Sequence, residues 1–123
     1  MAKTVLVVDD SSSLRTVVRL ALSRAGYDVL EATDGKDGLV QLDNAPKVHL
    51  IVSDVNMPIL DGIAFLKKVK EHPRHKFTPV VMLTTENERV MIEKGRAAGA
   101  KAWMIKPFNP AQLLEAVSKL ILP

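Results

Sequence analysis

The stretch His49-Leu50-Ile51-Val52-Ser53-Asp54-Val55-Asn56-Met57-Pro58 decides the fold. Its apolar part does not alternate with polar residues, so a strand built from it is covered on both faces, the condition of a strand inside a parallel sheet. Asp54 follows that strand directly. Asp61-Gly62 then opens a helical pattern with Ile63, Leu66 and Val69 on one face, until Pro73 breaks the chain. The unit is a buried strand, a polar turn and an amphipathic helix.

The unit recurs on both sides. Thr4 to Val8 reads as a strand that stops at Asp9-Asp10 and leads into a helix opened by Ser11-Ser12-Ser13. That helix carries Leu14, Val17, Val18, Ala21, Leu22 and Ala25 on one face and stops at Gly26. A second strand spans Asp28 to Ala32, and the Asp34-Gly35 turn joins it to a helix through Leu39 and Leu42. The third strand is His49 to Ser53. Pro79 to Leu83 is the fourth, ending at Thr84 and followed by an Ala-rich helix to Gly99. Lys101 to Ile105 is the fifth, ending at Lys106, and Pro110 begins a helix that carries Leu113, Leu114, Val117, Leu120 and Ile121. Five strand-helix units with short right-handed crossovers predict an α/β, doubly wound, parallel sheet. No internal repeat or low-complexity segment interrupts them.

The 123 residues correspond to one domain over 1–123, large enough to bury about two thirds of the surface of the unfolded chain. Without a run of 18 apolar residues or a leader pattern, neither a membrane span nor secretion is expected. The absence of cysteine excludes disulfides and thiolate metal sites and agrees with a reducing cytoplasm. A net charge of +3 and a pI near 9.3 raise the question of nucleic acid. The densest basic stretch, Lys67, Lys68, Lys70, Arg74 and Lys76, has no aromatic residue among its members and reads as a solvated helix face and loop, so no nucleic-acid partner is expected.

In open parallel sheets, ligands bind at the carboxyl ends of the strands. Asp9, Asp10, Asp54, Thr84 and Lys106 should therefore converge there. A carboxylate such as Asp54 can attack phosphorus to form an aspartyl phosphate, provided the repulsion between the two anions is neutralised. Asp9 and Asp10 are hard oxygen ligands, and a few carboxylates with retained waters suit Mg²⁺. With no cation, three clustered carboxylates raise at least one pKa. Lys106 offers an ammonium and Thr84 a hydroxyl to a phosphoryl group. Each residue alone has a blander role, as an N-cap, a turn residue or a solvated lysine. Four such signals at the ends of four strands are hard to obtain by capping alone. His72 and His75 read as exposed loop residues, His49 as a packed or capping histidine, and the methionines as gap fillers.

Val7-Val8-Asp9-Asp10, Asp54-Val55-Asn56-Met57-Pro58 with Asp61-Gly62, Leu83-Thr84-Thr85 and Lys106-Pro107-Phe108 together resemble the receiver domain of two-component response regulators, in particular its single-domain chemotaxis members. The resemblance covers the whole chain. It implies a flavodoxin-like (βα)5 domain with strand order 2-1-3-4-5. It also implies phosphorylation of Asp54 by a sensor histidine kinase, and Mg²⁺ held by Asp10 and Asp54, by Asp9 through water and by the Asn56 backbone carbonyl. Thr84 resembles the switch hydroxyl, Lys106 its phosphoryl-pairing partner, and Lys106-Pro107 the family's cis peptide. Asn56 and Glu86 stand where residues tune dephosphorylation. Trp103 occupies the place of the switch aromatic, usually Tyr or Phe, and Thr85 that of a small residue, often Ala; both are departures. A cytoplasmic monomer is implied, with an output protein such as a flagellar motor switch component and a phosphatase as partners. A phosphorelay intermediate is the alternative. A haloacid-dehalogenase-type phosphatase is disfavoured, because it needs a second Asp where Asn56 stands.

Overall fold

In the computed structural model, which describes residues 2–84 and 89–121, β1 (Thr4–Val8), β2 (Asp28–Ala32), β3 (Leu50–Asp54), β4 (Val80–Thr84) and β5 (Ala102–Ile105) form one parallel sheet in the order β2-β1-β3-β4-β5. The helices α1 (Ser12–Arg24), α2 (Gly35–Asn44), α3 (Gly62–Glu71), α4 (Arg89–Ala98) and α5 (Pro110–Leu120) alternate with the strands. The order matches the one implied by the family resemblance. None of the described helices is long and apolar enough to cross a membrane.

Strand alternation divides the core in two. Leu6, Val8, Ile51 and Met82 pack with Leu42, Phe65, Leu66 and Val69 of α2 and α3 on one face of the sheet. Val5, Val7, Val52, Val81 and Leu83 pack with Val18, Leu22, Leu113 and Val117 of α1 and α5 on the other. All residues of β3 and β4 are buried, as their continuous apolar runs require. Register then aligns the polar ends: Val8 pairs with Ser53, Asp54 with Leu83, and Thr84 with Ile105.

Several local readings are corrected. β3 and β4 each run one residue later than the sequence suggests, because Val55 N–H donates to Leu83 O at 3.0 Å and so carries the ladder through Asp54. Asp34 is the N-cap of α2 rather than a turn residue, accepting from Asp37 N–H at 2.8 Å. In α1 only Val18 and Leu22 are buried. Val17 is 49% exposed, so the inward stripe is narrower than the pattern.

The two loop histidines are not exposed. His75 is buried against Thr78, and His72 pairs with Asp43 at 2.8 Å. Arg74 between them explains this. Its guanidinium donates to Leu42 O, Asp43 O and Ala45 O at 3.2, 2.8 and 3.1 Å, satisfying the carbonyls left over at the end of α2 and drawing the loop onto that helix. Lys70, from the same basic stretch, donates to Thr78 O. His49 does cap, its Nδ1 accepting from Thr4 N–H at 3.0 Å.

Candidate functional site: an acidic pocket at the carboxyl edge of the sheet

Asp9 follows β1 directly and is almost fully buried. Both carboxylate oxygens are held: Oδ1 accepts from Ser11 N–H at 2.8 Å and Oδ2 from Lys106 Nζ at 3.0 Å. Asp54, buried at the end of β3, accepts from Val55 N–H with Oδ1 at 2.9 Å, and Lys106 Nζ lies 3.3 Å from the same oxygen. Among the described residues nothing hydrogen-bonds Asp54 Oδ2. Asp10 is exposed, yet Asp9, Asp10 and Asp54 each place a carboxylate oxygen within 4.8 Å of the others.

Electrostatics follow from this geometry. Among the described residues Lys106 pairs with two of the three carboxylates, Asp9 and Asp54. The Asp54 carboxyl is held above the usual carboxylate range, first by burial and next by the neighbouring Asp9 charge, against the opposing pull of Lys106 and the Val55 N–H. Lys106 alone does not offset the cluster. Three hard oxygen donors at this spacing with uncompensated negative charge fit a small divalent cation.

The remaining sequence candidates fall around this pocket. Thr84 ends β4, is buried, and accepts from Lys106 N–H with its backbone carbonyl at 2.7 Å. The Lys106-Pro107 peptide is cis. Asn56 is exposed in the loop after β3. Glu86 and Thr85 lie outside the described residues. Trp103 sits on β5 and is half-buried against the α2–α3 side of the core. Its buried Nε1 has no hydrogen-bond partner among the described residues.

Sequence reasoning missed two supports. Arg15 donates from Nη1 to Asp9 O at 2.6 Å and pairs with Glu31, fixing the β1–α1 turn; nothing in its helical position marks it. At Gly62, a Cβ would lie 2.8 Å from Val55 Cα and 2.9 Å from Met82 Cε, and closer still to Asp54 O. Only glycine lets α3 start against the backbone of Asp54. The Asp61-Gly62 pair was legible as a helix start, but not this closeness.

A doubly wound domain with an acid cluster, a lysine and a threonine on the carboxyl edge of its sheet has the architecture of open α/β proteins, whose ligand sites lie at that edge. The chain is a member of the response regulator receiver domain family, whose sequence model matches residues 5–118. It is 38% identical over 117 residues to chemotaxis protein CheY1 of Helicobacter pylori, covering 94% of each chain. It is 34% identical to a chemotaxis protein CheY homologue of Campylobacter jejuni, covering 94% of this chain and 90% of the relative. The solved structure of Vibrio cholerae chemotaxis response regulator CheY4 superposes with a TM-score of 0.91 at 42% identity, covering 98% of this chain and 99% of that one.

Proposed function

We propose that residues 1–123 form one receiver unit that acts as a phosphorylation-controlled chemotaxis switch in the cytoplasm, taking its phosphoryl group on Asp54 from a CheA-like sensor histidine kinase. The observation that carries this reading is Lys106 Nζ standing 3.0 Å from Asp9 and 3.3 Å from Asp54, with the Asp10 carboxylate in the same cluster. The three aspartates and the Asn56 backbone carbonyl would hold Mg²⁺, which when bound supplies the positive charge that lets two anions approach.

The chain's own residues supply the rest. An Asp54 carboxylate oxygen forms a bond to phosphorus as the phosphorus–nitrogen bond to the donor imidazole breaks; the departing nitrogen keeps that bond's electron pair and takes a proton from solvent water. Lys106, already beside Asp54, transfers its ammonium contact to a phosphoryl oxygen, and the Thr84 hydroxyl donates to another. Drawing Thr84 toward the phosphoryl group changes the space beside β5, and Trp103 reorients with it. The surface of α4, β5 and α5 then alters its affinity for an output protein such as a flagellar motor switch component. Hydrolysis, tuned by Asn56 and Glu86 and by a partner phosphatase, returns the resting state.

Intact-protein mass measurement after incubation with acetyl phosphate tests the reading. One added phosphoryl group should appear with Mg²⁺, vanish with chelator, and be absent from Asp54→Asn. Undiminished labelling of that variant would overturn the assignment.

A further inference from the structure

The opposite edge of the sheet, where strands begin, carries a feature the phosphoryl site does not use. The segments entering β3 and β4 line a cavity of about 500 Å³ bordered by Lys47, His49, Arg74, Phe77 and Thr78. Phe77 is 86% exposed, more than any other large apolar side chain described. Its position is forced. Thr78 N–H donates to His75 O at 3.0 Å, His75 Nδ1 lies 3.3 Å from Thr78 Oγ1, and that hydroxyl reaches Val48 O at 3.4 Å. His75 and Thr78 thus turn inward, leaving Lys76 and Phe77 at the outward corner.

The corner is also fixed in place, because Arg74 and His72 anchor the loop to α2. An aromatic ring on a pre-ordered turn loses little entropy when covered, which is how interface anchors work. Around it the charge is positive. Lys76 Nζ stands 5.3 Å from the ring centroid, Lys47 and Arg74 border the cavity, and both Lys47 and Lys3 act on His49. The acids on this side are Asp43, hydrogen-bonded to His72, Glu71, which closes α3, and Asp28 at the start of edge strand β2, against the cations Lys3, Lys47, Lys70, Arg74 and Lys76. The last lysine of the solvated basic stretch, Lys76, adjoins this exposed aromatic ring.

We propose that this edge docks an acidic segment of a partner polypeptide, with carboxylates on Lys47, Lys76 and Lys3 and one apolar side chain packed on Phe77. The length of β3 separates the surface from Asp54 by roughly 15 Å, so engagement is independent of phosphorylation and leaves the output face open.

The test is an amide chemical-shift titration of the full chain, at low ionic strength, with the peptide acetyl-Glu-Asp-Glu-Leu-Asp-Glu-Glu-amide. Shifts should centre on residues 47–49 and 74–79, with the same Kd for Asp54→Asn. The double variant Lys47→Glu/Lys76→Glu should bind about tenfold more weakly, and Phe77→Ser about fivefold more weakly. All three side chains are exposed, so these variants should keep the parent melting temperature. Replacing the peptide leucine by serine should reproduce the Phe77→Ser loss without touching the protein. Absence of shifts at millimolar peptide, or equal affinity of parent and variants, overturns the proposal. Tighter binding of oligothymidine than of the peptide overturns it in favour of nucleic acid.

Discussion

Alanine in place of Gly95 tests how Trp103 is held. A Cβ there would lie 2.9 Å from Trp103 Cε3 and 3.2 Å from Cη2, and closer still to Cζ3. Unstrained carbon contacts need about 3.5–4.0 Å, so either α4 retreats or the indole withdraws by roughly 1–2 Å. Retreat of the helix is overpacking, at about 1–3 kcal/mol. Withdrawal of the ring gives up on the order of 100 Å² of apolar contact, about 2.5 kcal/mol. Alanine gains about 1 kcal/mol over glycine in a helix on either route, but only withdrawal admits water to the N–H that lacks a partner among the described residues, recovering about 1–3 kcal/mol.

Ring withdrawal therefore nets close to zero and wins. Gly95→Ala should unfold in urea within about 1 kcal/mol of the parent, followed by circular dichroism. Emission from this single tryptophan should shift to the red and quench more readily with iodide. An unchanged emission maximum together with a stability loss above about 1 kcal/mol would show that the helix moved instead. The ring would then be a fixed core group, unsuited to switching.

Three further outcomes follow from the geometry. Because burial and Asp9 raise the Asp54 pKa on folding, the folded state binds more protons, and the carboxyl's contribution is present below the unfolded pKa and lost as pH rises through the folded one. Asp54→Asn should accordingly be more stable than the parent near neutral pH and lose that advantage toward about pH 4; a pH-independent difference in urea midpoint would refute the sign. Mg²⁺ at ten times its Kd should add about 1.4 kcal/mol over chelator in thermal melts, most of it lost in Asp10→Ala; full retention would place the metal elsewhere. Ile59 has a φ of 70° and is 77% exposed, and Leu60 N–H donates to Pro58 O at 2.7 Å, the hydrogen bond of a strained γ-turn. Ile59→Asn, which tolerates this backbone, should raise stability by about 1 kcal/mol; a lower urea midpoint would show the isoleucine side chain stabilises the loop.

The sheet was legible because a strand buried on both faces must be apolar throughout, and each apolar run here ends in an acid, a hydroxyl or an ammonium. Convergence of Asp9, Asp10, Asp54 and Lys106 then required only that the strands be parallel. What escaped was set by tertiary proximity. Arg74 looked like one cation among several, because nothing local says that the carbonyls closing α2 lie within its reach. Gly95 sits in an unremarked helical turn until β5 brings an indole against it. The ends of β3 and β4 slipped by one residue because inter-strand pairing, not the apolar run, decides where a ladder stops.

The hydrogen bonds in the acid cluster also bear on which carboxylate would serve as the proposed nucleophile. Asp9 has one oxygen on Ser11 N–H and the other on Lys106, so attack through either would first break a bond in a nearly dry site. Asp10 is exposed, where water solvates its charge and no lysine is paired with it among the described residues. Asp54 combines the two requirements. Its Oδ1 is oriented by Val55 N–H and Lys106, its Oδ2 carries no hydrogen bond among the described residues, and burial and the Asp9 charge raise its pKa, so its charged form gains from added positive charge. The same features that make this carboxylate costly to bury make it the one that a cation and an incoming phosphoryl group would select.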